Sequence, residues 1–387
     1  MSVGGTVEPG WETVRAVFEA SLDAGTDTGA SVAVYHRGRP VVDLWAGFQD
    51  REHTVDYGPD TLQLVFSTTK GVTATAVAMC VQRGLFSYDD LVCEHWPEFA
   101  AHGKESATVA QLLSHQCGLI SVDGPITLAE ALHWDTVAAR VADTKPDWPI
   151  GSGHGYHALT YGWLAGELIR RTDGRTPGQF VADEISGPLG LDLWIGLPEE
   201  LEPRVAPLIG NLVNRSDDPA IQAIVDQMMG PTTRLGRALL LNGAFDVEDA
   251  FNSREVHAAE IPAANGITNA RSLARLYAAT MGSIDGVRLL DDATRDVART
   301  PLTPEGEADF CLMLPTRFGM GYMVYAPGFT PYAGPGSFGH TGAGGSVAFA
   351  QPERELSFAY AMNKMASSLA GDVRAQNLIE AAKQACS

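Results

Sequence analysis

Ser67 and Lys70 stand three residues apart in Leu64-Val65-Phe66-Ser67-Thr68-Thr69-Lys70, just ahead of a small-residue stretch, 71–83, with helical spacing. Residues i and i+3 share a helix face, so the serine hydroxyl and the lysine amine can meet at a first turn. A serine hydroxyl becomes a nucleophile only when a neighbouring base takes its proton. Lysine serves as that base where burial disfavours its ammonium form, and the apolar approach through Phe66 supplies burial. At a helix start the Ser67 backbone N–H also points where an oxyanion would develop. The bland alternative is a serine cap with a solvated lysine. In this chain, however, S-x-x-K occurs once: Ala101, Ala142, Ala361 and Glu380 precede the other lysines by three.

Two further segments follow in order. Gly153-His154-Gly155-Tyr156-His157-Ala158 lies ahead of a helix expected over 161–171, and Gly339-His340-Thr341-Gly342-Ala343-Gly344-Gly345 lies just before a strand. With Ser67 and Lys70 they resemble the S-x-x-K, Y-x-N and K-T-G signature of the serine β-lactamase and penicillin-binding-protein superfamily. The likeness is strongest to its esterase branch, the family VIII carboxylesterases and class C β-lactamase-related hydrolases. Leu112-Leu113-Ser114-His115-Gln116-Cys117-Gly118-Leu119 and Gly266-Ile267-Thr268-Asn269-Ala270-Arg271-Ser272-Leu273-Ala274 resemble two more segments of that branch, so the resemblance runs from about residue 10 to 385.

The resemblance implies a β-lactamase/transpeptidase-like fold of α/β (α+β) class, an antiparallel sheet flanked by helices with a mostly helical domain inserted. It implies a serine carboxylesterase that cleaves esters of small molecules through an acyl-enzyme on Ser67. Lys70 would be the base or proton relay. Tyr156 would complete the relay, its phenol pKa of ~10 lowered by the neighbouring ammonium. The backbone N–H groups of Ser67 and Ala343 would form the oxyanion hole, and His340, Thr341 and Gly342 would line the substrate site. Two departures matter. Ala158 replaces the amide of Y-x-N, and His340, mostly neutral at pH 7, replaces the lysine of K-T-G that grips a substrate carboxylate. Both weaken the case for lactam or peptide substrates and leave acyl transfer intact.

The elements that must position these residues are legible in outline. A helix expected over 11–22 is followed by strands at 31–36 and 40–46 around Arg37-Gly38-Arg39; strands at 347–351 and 356–361 and a helix from about Gly371 to Ala385 close the chain. Hairpins at both ends suggest one sheet built from the two termini, sandwiched between the first and last helices. Helical periodicity at 72–83, 109–113, 128–141, 161–171 and 177–184 fills the middle. The expected division is an α/β domain of 1–98 and 257–387 and a helical domain of 99–256, with an irregular acidic excursion over 198–256, apolar at 228–241, covering the cleft.

Composition narrows the rest. With 387 residues the core needs no metal or disulfide staple, and a net charge of −20 disfavours nucleic acid and anionic membranes. No signal peptide, membrane span or CxxC pair is evident, so the five cysteines read as free thiols of a cytoplasmic protein. No cofactor and no metal are expected: His154 and His157 form an H-x-x-H without further ligands. His115 reads as a satisfied structural histidine. The expected partner is a small-molecule ester, and a homo-oligomer is left open. Absence of G-x-S-x-G disfavours a Ser-His-Asp hydrolase. An acyltransferase, a β-lactamase or D-aminopeptidase-type amide hydrolase, and a non-catalytic binding relative stand as alternatives.

Overall fold

The computed structural model describes residues 2–213, 218–330, 332–366 and 372–386. Its strands are β1 (Gly4–Val7), β2 (Gly29–His36), β3 (Arg39–Gly47), β4 (Leu62–Leu64), β5 (Leu193–Trp194), β6 (Val205–Ala206), β7 (Ile267–Thr268), β8 (Met323–Val324), β9 (Phe338–Thr341), β10 (Val347–Gln351) and β11 (Leu356–Met362). Seven of them form one sheet in the order β1-β3-β2-β11-β10-β9-β8, with every neighbouring pair antiparallel. The two chain ends meet at β2 and β11, as the terminal hairpins suggest. A strand shows alternate side chains to alternate faces, and β10 and β11 alternate by size. Val347, Phe349, Leu356, Phe358 and Tyr360 enter one apolar cluster, while Ala348, Ala350, Ala359 and Ala361 enter the other.

The large side chains are covered by α1 (Glu12–Asp23), through Val14, Phe18 and Leu22, and by the final helix, Val373–Ala385, through Leu378 and Ala382. Both terminal helices therefore lie on one face, and the expected sandwich between them is wrong. The alanine face takes the helix Ala270–Met281, with Leu273, Leu276 and Tyr277. Behind that layer runs α2 (Thr69–Gln82), buried all round from Thr69 to Cys80, as a helix without a polar face must be.

Other departures are local. The expected helix over 128–141 is two helices, Leu128–Ala131 and Trp134–Asp143, broken at His133 with extended backbone. The expected helix over 177–184 is a short helix, Pro177–Val181, continued by a wider π turn, Ala182–Ser186. The stretch 198–256 is less irregular than expected: helices Pro219–Met229 and Arg234–Leu240 occupy it. Residues 214–217 of that stretch, and Gly371 at the expected start of the final helix, lie outside the described residues. A small second sheet, β5-β7-β4-β6, joins the segment before Ser67 to 193–194, 205–206 and 267–268. Among the described residues no helix is long and apolar enough to cross a membrane.

Candidate active site

Ser67 sits in a short 3₁₀ turn, Phe66–Thr68, between β4 and α2. Pairing of β4 with β7 fixes the approach, and the Val65 N–H donates to Gly266 O at 3.0 Å. Phe66 then turns through the left-handed region, φ 44°, a conformation a bulky residue holds only under surrounding constraint. Thr69 supplies part of it: its hydroxyl donates to Phe66 O at 2.6 Å and accepts from the Gly266 N–H at 2.9 Å. Ser67 is thereby left half-buried at the start of a helix whose next turns are wholly buried.

Lys70 has no solvent exposure. Its Nζ lies 3.1 Å from Ser67 Oγ, 2.7 Å from Ala158 O and 2.9 Å from Ala263 O. Burial holds its pKa well below the ordinary lysine value. Tyr156 is brought to the same place, with Lys70 Nζ 4.7 Å from its ring centre. Its phenol is coupled to Ser67 by a side-chain hydrogen bond that favours ionisation, but burial dominates and pushes the pKa above the usual phenol value, aided by the Asp309 charge. The expected lowering of the Tyr156 pKa is therefore reversed. Desolvation outweighs a lysine that is itself driven toward neutrality.

The loop that carries Tyr156 is clamped on three consecutive N–H groups. Gly155 N donates to His115 O at 3.0 Å, Tyr156 N to Asp309 Oδ1 at 3.1 Å and His157 N to His115 Nδ1 at 3.1 Å. Asp309 is fully buried and also accepts from the N–H groups of Cys311 and Leu312 and from the Thr316 hydroxyl. His115 is not the satisfied residue expected from sequence. Its Nε2 has no hydrogen-bond partner among the described residues, and its ring lies tilted 5.2 Å from that of Tyr156.

On the sheet side, β9 ends in Thr341 and turns through Gly342, Ala343, Gly344 and Gly345 into β10. His340 is buried beside Tyr156, ring centres 5.9 Å apart, and burial pushes its pKa down to about 3. Gly342 allows a close approach to the Ser67 segment: a Cβ there would lie 2.2 Å from Ser346 Oγ and 2.3 Å from Val65 O. Ser346 ties the two segments together, donating to Val65 O at 2.8 Å and sharing a 2.9 Å hydrogen bond with Thr68 Oγ1. From behind, the buried Arg374 donates from Nη2 to Gly344 O at 2.7 Å and is itself held by Asp27 and Asp372.

The structure thus brings together Ser67, Lys70, Tyr156, His340 and the turn bearing Ala343. Sequence reasoning missed Ala263, Asp309 and Arg374. His154 and His157 go to structural work: His154 Nε2 lies 3.0 Å from Thr316 Oγ1, and His157 Nε2 accepts from Leu119 N at 2.9 Å. Asp90, Glu94 and His95 place potential metal ligands within 4.8 Å of one another. Hydrogen bonds already occupy them, from Ser87 N to Asp90, from Leu91 N to Glu94 and between His95 and Asp90. All five cysteines are free thiols.

A match to the Beta-lactamase family extends over residues 14–383. The chain belongs to that family. The esterase/beta-lactamase LipL of Mycobacterium tuberculosis is 35% identical over 399 residues, covering 99% of this chain and 89% of that protein. A solved penicillin-binding protein homolog from Caulobacter crescentus is 40% identical, with TM-score 0.88 over 100% of both chains. A family VIII carboxylesterase is 34% identical, with TM-score 0.89, again over 100% of both. This Beta-lactamase family member is therefore an enzyme of the hydrolase class with esterases among its relatives, and the expected family and fold are borne out.

Proposed function

We propose that the protein hydrolyses carboxylic esters of small molecules through an acyl-enzyme on Ser67. The observation that carries this reading is the fully buried Lys70 amine, 3.1 Å from Ser67 Oγ. A neutral lysine has two N–H donors and one lone pair. The carbonyls of Ala158 and Ala263 take the two N–H groups, which leaves the lone pair for the Ser67 O–H. As Oγ attacks the ester carbonyl carbon, its proton passes to Lys70, and the carbonyl oxygen becomes an oxyanion held by the N–H groups of Ser67 and Ala343. Collapse breaks the bond to the alkoxide. The alkoxide leaves as the alcohol, taking the proton from Lys70 through the Tyr156 hydroxyl. Water then repeats the sequence on the acyl-enzyme and releases the carboxylic acid. Tyr156 works here as a neutral hydroxyl that passes a proton on, not as a standing phenolate.

Esters are favoured over β-lactams and peptides because His340 is neutral and Ala158 has no side-chain amide, so position 340, just before Thr341 and Gly342, offers no charge to hold a carboxylate. In this reading the active site lies between the α/β portion, 1–98 and 257–387, and the mostly helical 99–256, and five free thiols suit a cytoplasmic enzyme. The test is a panel of p-nitrophenyl esters, nitrocefin and D-amino-acid amides. Activated esters should be turned over far faster; nitrocefin or amide turnover equal to theirs would overturn the assignment.

Two results should follow. Activity requires Lys70 deprotonated, so kcat/KM should rise with pH through the lowered lysine pKa and stay level above it. His340, already neutral above about 3, should add no limb between pH 5 and 8. A pH–rate profile on one ester checks both points. Gly342→Ala should lower kcat about 100-fold or more by forcing the Ala343 N–H away from Ser67, because the Cβ meets the Val65 carbonyl, which cannot swing aside. Steady-state kinetics on a folded variant checks it, with KM moving less than kcat.

A further inference from the structure

Asp309 lies 153 positions along the chain from Tyr156 and meets it through the main chain. Its Oδ1 accepts three N–H groups, from Tyr156 at 3.1 Å, Cys311 at 2.7 Å and Leu312 at 2.8 Å. Its Oδ2 accepts the Thr316 hydroxyl at 3.0 Å. Because that hydroxyl directs its one proton at Asp309, His154 Nε2, 3.0 Å from Thr316 Oγ1, is the donor of the next hydrogen bond. One carboxylate therefore holds the Tyr156 loop twice, directly at the 156 N–H and through Thr316 at the His154 ring.

The rest of the segment 309–318 follows the same loop. Phe310 N donates to His154 O at 2.9 Å. Two glycines leave room for its side chain: a Cβ on Gly153 would fall 2.4 Å from Phe310 Cζ, and one on Gly155 3.1 Å from Phe310 Cβ. Phe318 stacks on Tyr156, with ring centres 6.0 Å apart and planes 9° apart. Asp309, Thr316, Phe318 and His154 are all buried. Buried polar groups that satisfy one another leave the chain little freedom to rotate. The phenol hydroxyl is at the far end of its side chain, so a small rotation of the main chain at 156 is magnified there. A misplacement of about 1 Å costs on the order of 100-fold in rate.

We propose that Asp309 is a positioning residue for the proton relay: by fixing the main chain at Tyr156 it keeps the phenol hydroxyl within reach of Ser67 and Lys70. The inference rests on the Tyr156 relay of the Ser67 acyl-enzyme reading and adds the residue that aims it. Asp309 acts here through hydrogen-bond geometry, not through its charge. Asparagine can reproduce that geometry. Its Oδ1 accepts the same three N–H groups, and its amide donates to Thr316 Oγ1. The Thr316 hydroxyl then turns to His154 Nε2, and the ring proton moves to Nδ1, which has no other partner among the described residues. Glutamate keeps the charge but carries its oxygens one methylene farther out.

The test is steady-state kinetics on p-nitrophenyl butyrate in two backgrounds, wild type and Tyr156→Phe. In the first, Asp309→Asn should keep kcat within about fivefold of wild type. Asp309→Ala and Asp309→Glu should each lose about 50-fold in kcat, with KM moving less than about threefold. In the Tyr156→Phe background the same two substitutions should cost less than about threefold, because the hydroxyl they misplace is already gone. An equal cost in both backgrounds would overturn the proposal, as would Asp309→Asn as slow as Asp309→Ala, or a folded alanine variant as fast as wild type. Loss of the cooperative thermal melt in both the alanine and glutamate variants would overturn it too, since Asp309 would then hold the fold at large. Failure of the esterase reading looks different: Ser67→Ala or Tyr156→Phe alone would turn over the ester as fast as wild type, whatever the Asp309 variants do.

Discussion

Ser67→Ala should lose at least about 10,000-fold in kcat on an activated ester while KM stays within a few-fold of wild type. In the proposed mechanism the substitution removes the hydroxyl that attacks the carbonyl, the one 3.1 Å from the Lys70 amine. The backbone N–H groups proposed to hold the oxyanion, at positions 67 and 343, are untouched, so residual attack by water on a carbonyl polarised there should remain above the uncatalysed rate. Ser67 is half-buried in a turn shaped by Phe66 and Thr69, and loss of its hydroxyl leaves those constraints in place. The folded fraction should therefore be unchanged by thermal melting. Turnover within tenfold of wild type would remove Ser67 from the chemistry.

Lys70→Arg should cost about 1,000-fold in kcat/KM, nearly as much as Lys70→Met. A guanidinium keeps a positive charge but does not deprotonate in the working range, so it has no lone pair to take the Ser67 proton. It would also bring a planar group with five N–H donors into a site holding two carbonyls, those of Ala158 and Ala263, and a serine hydroxyl. If Lys70 and Tyr156 form one relay, as proposed, Lys70→Met/Tyr156→Phe should be hardly slower than the worse single variant. The acid limb of the pH profile should vanish with Lys70. If Lys70→Arg kept near wild-type activity, the lysine would be only a charge and the base would lie elsewhere.

What could be read in the sequence was local. Ser67 and Lys70 share a first turn because i and i+3 share a helix face, and the contact is there. The Val-rich hairpin of β2 and β3 announced itself through composition and its turn. Tyr156, His340 and Ala343 were reachable only through the resemblance, since no spacing rule joins positions so far apart. Ala263 and Ala158 act through backbone carbonyls, which side-chain type does not report. Arg374 lies 30 residues from Gly344, and nothing in its own neighbourhood marks it as a brace for that turn. Periodicity gave each terminal helix an apolar stripe but not which face of the sheet would take it. The strand β1, Gly-Gly-Thr-Val, has little intrinsic preference for extended structure and is held by pairing with β3. The Tyr156 pKa was misjudged for one reason: charge can be counted along a chain, whereas desolvation depends on the packed fold.

The central claim is a covalent acyl-enzyme on Ser67, and the most direct measurement is the intact mass of the protein after reaction with a fluorophosphonate, with the labelled peptide mapped. Wild type should gain one phosphonyl group, on the peptide containing Ser67, in step with loss of esterase activity, and Ser67→Ala should gain none. A label of equal yield on the variant, or on another peptide of the wild type, would contradict the account.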